Sequence, residues 1–118
     1  MATKRRKRMK EDLKATRWNR VAIRLNVPPA TGVFLIGAKD EQDGPEHVLL
    51  VGSAANLRRK LLELLDHQEI KAMSARVIHW VAGLTIEQAQ LAERLFVRRY
   101  NPPLNLAPPT RYHDILVG

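Results

Sequence analysis

Two short apolar runs, Val33-Phe34-Leu35-Ile36 and Val48-Leu49-Leu50-Val51, are separated by a segment of turn and charged residues, Lys39-Asp40-Glu41-Gln42-Asp43-Gly44-Pro45. No other feature limits the fold as much. Apolar residues at every position, rather than at alternate ones, indicate strands covered on both faces. Two such runs joined by turn chemistry make an antiparallel hairpin. A sheet with two covered faces needs helices, and the following sequence supplies them. Ser53-Ala54-Ala55-Asn56 offers N-cap residues, and Leu57, Leu61, Leu64 and Leu65 form one apolar stripe. Val77, His79 and Val81 alternate with Ile78, Trp80 and Ala82 as a third strand, broken at Gly83. Thr85, followed by Glu87 and Gln88, opens a last long helix to about Tyr100, which Asn101-Pro102-Pro103 stops. The order β-β-α-β-α predicts an α+β fold, a small three-stranded antiparallel sheet flanked by helices.

The segment ahead of the hairpin is set apart by charge. The net charge of +8 is carried by residues 1–26, which hold ten Lys or Arg against Glu11 and Asp12, whereas residues 27–118 hold ten basic and ten acidic residues. Residues 1–11 are a charge run without apolar periodicity. From Leu13, the residues Trp18, Val21, Ala22 and Leu25 recur at near-helical spacing among Lys14, Arg17, Arg20 and Arg24, which reads as a basic amphipathic helix. Val21, Ile23 and Leu25 also alternate, so a strand is open there, and Pro28-Pro29 ends the element either way. The expected division is a basic arm and helix over 1–30, a body over 31–105 and a tail over 106–118. A one-sided basic arm points to a polyanion, here nucleic acid, DNA or RNA, including a ribonucleoprotein, with Lys4, Arg5, Arg6, Lys7, Arg8, Lys10, Arg17 and Arg20 as the contact residues.

The 118 residues suffice for one domain. With no cysteine, disulfide scaffolds, thiol nucleophiles and Cys-based zinc sites are excluded. No apolar run approaches the roughly 20 residues of a membrane span, and the start has no apolar signal core, so an intracellular location is expected, cytoplasmic or at the nucleoid. The Lys4–Arg8 run also has the composition of a nuclear signal.

On a helical wheel, Ile86, Ala89, Phe96, Val97 and Tyr100 fall on one side of the last helix with Glu93 in the middle of them. An ionised carboxylate on an apolar stripe needs a partner. Two readings follow: a pair with a cation from another element, or a metal ligand or acid at a site.

Gly32-Val33-Phe34, Leu50-Val51-Gly52, the helix Asn56-Leu57-Arg58-Arg59-Lys60-Leu61, and Glu93 followed by Pro102 nine residues on and Asn105 twelve residues on together resemble the GIY-YIG nuclease domain, as in the bacterial excision-repair endonuclease. The resemblance covers residues 31–105. It implies a nucleic-acid phosphodiester as substrate, one divalent metal (Mg2+ or Mn2+) held by a glutamate, two tyrosines at the glycine motifs that activate water and order the site, and an arginine that balances charge on the phosphate.

Carried over by position, the glutamate is Glu93, as catalytic residue and metal ligand. The first tyrosine is Phe34, which keeps the ring and loses the hydroxyl. The second is Leu50, which keeps only bulk. The arginine position is Lys60, which keeps charge and loses the planar fork; Arg59 is the neighbour that could take its place. The terminal asparagine is Asn105, in a structural role. The resemblance therefore implies a nucleic-acid-binding domain with weak or lost hydrolysis, the alternative being an active magnesium-dependent endonuclease cleaving DNA. His47, His67, His79 and His113 lack metal-ligand spacing. Trp18 could stack on a base or pack on the body. Gly52-Ser53 ahead of a helix could cap it or hold a phosphate oxygen.

Overall fold

The computed structural model describes residues 13–38 and 47–106. It contains β1 (Lys14–Arg17), α1 (Arg20–Asn26), β2 (Gly32–Gly37), β3 (Val48–Ala54), α2 (Leu57–Leu64), α3 (Gln68–Ala72), β4 (Val77–Ala82), α4 (Ile86–Tyr100) and α5 (Pro103–Leu106). The strands form one antiparallel sheet in the order β1-β4-β2-β3.

The hairpin of β2 and β3 lies as expected, and every residue of β2 is buried. Its odd and even positions serve two separate cores. Phe34, Ile36 and Leu50, with Ile78 and Trp80, pack under Leu57, Leu61 and Leu64 of α2 and Ile23 of α1. Val33, Leu35 and Val51 face the other way, onto Phe96 of α4 with Ala92, Val97 and Tyr100 beside it. Helices thus cover both faces, as continuous apolarity requires. Gly32 permits the close approach of β2 to β4, since a Cβ there would lie 2.0 Å from the Val81 carbonyl oxygen. The turn segment Lys39–Pro45 lies outside the described residues.

The sheet has four strands rather than three, and the segment after Leu13 is a strand followed by a short helix rather than one basic helix. Lys14–Arg17 has no apolar pattern of its own. Its pairing comes from β4, whose edge it covers in the register Lys14 to Trp80 and Arg17 to Val77. Asn19 then caps α1 by accepting from the Ala22 amide at 2.8 Å. Ile23 and Val27 are fully buried in the α2-side core, and Trp18 packs half-buried against it, so its ring serves the body. Residues 1–12 and 107–118 lie outside the described residues, and with them Lys4, Arg5, Arg6, Lys7, Arg8, Lys10, His113 and nearly all of the 106–118 tail.

Thr85 and Gln88 start α4 with a reciprocal capping box at 3.0 and 3.1 Å, and Asn101 ends it in the left-handed region at φ 46°. No helix of the described residues is long and apolar enough to cross a membrane.

Candidate functional site

On the apolar stripe of α4, Ala89 and Phe96 are buried and Ile86 is exposed, and an open cleft is lined by Ile86, Ala89 and Glu93 among others. Glu93 is half-buried, not enclosed as the middle of an apolar stripe would suggest.

Its partner comes from β3. Strand alternation puts Ser53 on the same side as Val51, toward α4. Ser53 Oγ donates to Glu93 Oε1 at 2.7 Å. The chain then turns through Ala54 and Ala55 into α2, whose N-cap Asn56 accepts from the Arg59 amide at 3.1 Å. This start aims the first turn of α2 along the far wall. The resulting cleft, of about 820 Å³, is lined by Ser53, Arg59, Lys60, Glu63, Glu93 and Arg94, among others.

Lys60 is nearly buried along its stem, with 12% of its side chain exposed, and its ammonium lies 3.6 Å from Glu63 Oε2. Arg59, largely exposed on the rim, holds the other oxygen of Glu63 at 3.5 Å. The structure thus brings Glu93, Lys60 and Arg59 to one cleft. It does not bring Phe34 or Leu50 there. Both point into the α2-side core, with 0% and 1% of their surface exposed. Arg17 and Arg20 lie outside the cleft, on β1 and at the start of α1, with Arg20 bridged to Asp66 at 3.5 Å.

Sequence reasoning missed Ser53 as the partner of Glu93. The available signal was parity, since Ser53 lies two positions after an inward-facing valine. It also missed Arg94 and Gln90 as lining residues. Asn105 plays the structural part expected of it: its side chain accepts from the Val51 amide at 2.7 Å and donates to the Val51 carbonyl at 2.8 Å. That clasp covers the free edge of β3 two residues before Ser53.

Among the described residues no three His, Asp or Glu side chains converge on one point, and none of the described histidines lines the cleft. Of the two carboxylates on the cleft, Glu63 is paired with Arg59 and Lys60, so a divalent ion would be held by Glu93, beside the Ser53 hydroxyl. An all-oxygen donor set with a single carboxylate fits a hard ion of the magnesium type, which keeps several waters and takes its other ligands from phosphates.

This arrangement of a hairpin, a helix following the strand that carries Gly52, and a carboxylate on the last long helix matches known proteins. No family model matches the chain. UvrABC system protein C of Mycoplasmopsis agalactiae is 30% identical over 95 residues, 75% of this chain, and the matched stretch spans 16% of that relative's length. The GIY-YIG N-terminal endonuclease domain of UvrC from Thermotoga maritima, bound to its catalytic magnesium, aligns with a TM-score of 0.56 at 20% identity, over 69% of this chain and 92% of that one. A point mutant of the same domain gives 0.55 and 22%, over 69% and 91%. The chain has the GIY-YIG fold.

Proposed function

We propose that this domain binds nucleic acid, DNA or structured RNA, and hydrolyses phosphodiesters weakly or not at all. One observation carries the reading: Glu93 keeps its place on a cation-lined cleft, while Phe34 and Leu50, the positions at which the resemblance places tyrosines, lie without hydroxyls inside the core.

The cleft residues divide the work. Arg59, Lys60 and Arg94 present positive charge to a phosphate. The Ser53 hydroxyl fixes the carboxylate of Glu93, which would hold the divalent ion, magnesium or manganese. Such an ion supplies Lewis-acid polarisation of the phosphate and a more acidic bound water. What is missing is a group to take a proton from the attacking water. Glu63 is already engaged by two cations, and no tyrosine or histidine of the described residues lines the cleft. Loss of a general base costs about 10² to 10⁴-fold in rate, and loss of the bidentate guanidinium at position 60 adds to it.

Fluorescence anisotropy with labelled duplex DNA and a folded RNA tests the binding. Titration at low salt without divalent metal should give saturable binding that weakens as salt rises. Failure of both probes to bind at low salt would sink the reading. The second reading, an active magnesium-dependent endonuclease cleaving DNA, is favoured by the retained Glu93 with its hydroxyl partner.

A further inference from the structure

We infer that a single nucleic-acid backbone runs from the surface of α1 across α2 into the Glu93 cleft, gripped along the way by Arg17, Arg20, Arg59 and Arg94. This rests on the nucleic-acid reading above and adds the path that the ligand takes.

Of three depressions, two share lining residues and the third is linked to them by an ion pair. The Glu93 cleft and a second, shallower groove over the outer side of α2 share Asn56, Arg59 and Glu63. That second groove extends to Asp66. Asp66 is bridged to Arg20 at 3.5 Å, and Arg20 lines the third groove together with Arg17, along α1. The helices that form this path are tied together beneath it. Arg58 Nε donates to the Val27 carbonyl at 2.8 Å, and the Leu57 amide to the Ala30 carbonyl at 3.0 Å. The path therefore lies on a fixed surface.

Its charge is one-sided. Arg17, Arg20, Arg58, Arg59, Lys60 and Arg94 border the three depressions, against Glu63, Asp66 and Glu93. Four of these cations and all three carboxylates belong to the balanced stretch 27–118, and Arg17 and Arg20 of the basic N-terminal segment supply most of the excess. The two carboxylates midway are paired, Glu63 with Arg59 and Lys60 and Asp66 with Arg20, so a phosphate there would share these cations with them.

The α1 end has a further feature. Val21 and Leu25, one helical turn apart, are 67% and 76% exposed in the groove that Arg17 and Arg20 line. The core does not use them. Apolar surface alternating with arginine suits the sugar edge of a nucleic acid between its phosphates.

The test compares the full-length wild type with Arg17→Ala/Arg20→Ala, Arg59→Ala and Arg94→Ala. Each is titrated by anisotropy with a probe of about 20 nucleotides and one of about four, over a salt series. On the long probe each lost contact should lower the slope of log affinity against log salt by roughly 0.7 to 0.9 per cation. On the short probe, which cannot reach from one end to the other, the α1 and Arg94 substitutions should not both weaken binding. Thermal melts check that the variants fold. If the double variant melts early, Arg17→Gln, which spares the Arg20–Asp66 pair, takes its place. A wild-type slope for the α1 variant on the long probe, with Arg94→Ala weakened, would overturn the path and leave the nucleic-acid reading standing. Equal effects of the α1 variant on both probes, with Arg94→Ala also weakened on both, would overturn it too. Absence of wild-type binding to the long probe would overturn both.

Discussion

The hydrogen bond from Ser53 to Glu93 joins residues 40 positions apart and fixes the cleft carboxylate that is not paired with Arg59 and Lys60. A hydroxyl donating to a charged, half-buried acceptor is worth about 1–2 kcal/mol. Ser53→Ala should therefore cost that much in urea unfolding with the fold intact. Glu93→Gln keeps an oxygen acceptor for the hydroxyl and should cost less. The double variant should be milder than the sum of the two, which a four-variant cycle measures. Additive losses would mean that the bond carries no energy. The Lys60 ammonium lies 3.6 Å from Glu63, three residues along its own helix. Glu93 and Lys60 could be singled out in the sequence, one by its place on an apolar stripe and the other by its spacing from Leu50. Ser53 was harder to single out, because a serine after Gly52 reads equally as a cap, and only its parity with Val51 points it toward α4.

At the level of elements, the clasp of Asn105 holds the edge of β3 through two hydrogen bonds to Val51. Both the amide and the carbonyl of Val51 would lose their partner in Asn105→Ala, at the open edge of β3. A loss of about 2–3 kcal/mol is expected from urea denaturation, because two part-buried backbone groups are left unpaired. A loss under half of that would show that water replaces the side chain. Gly32→Ala should fare worse and fail to fold stably, since its Cβ would collide with the Val81 backbone in the middle of the sheet. The hairpin, α2, β4 and α4 were legible from apolar runs, stripes and caps. β1 was not. Lys14-Ala-Thr-Arg17 carries no strand pattern, and it becomes a strand only because β4 presents an unpaired edge to it. The half-exposure of Glu93 was hidden for a related reason: a helical wheel shows which residues share a face and cannot show which of them border an open cleft.

Across the whole molecule, the charge is divided between a neutral body and a basic N-terminal segment that leads into β1. Deleting residues 1–11 removes six basic residues and one acid. If all six meet phosphates, the salt slope of duplex binding should fall by roughly five, while thermal stability stays near wild type, since the run has no apolar stripe to bury. An unchanged slope would take the arm out of nucleic-acid binding. The most direct test of the central claim, a phosphate-binding cleft with its hydrolysis weakened or lost, measures binding and cleavage on one preparation. Supercoiled plasmid and a folded RNA are incubated with wild type and Glu93→Ala, in magnesium and in manganese, at protein concentrations that saturate binding. The expected result is that both proteins bind and that the wild type cuts no faster than Glu93→Ala, or only marginally so. Repeated turnover by the wild type, abolished in Glu93→Ala while binding is kept, would contradict it and make the chain a working endonuclease.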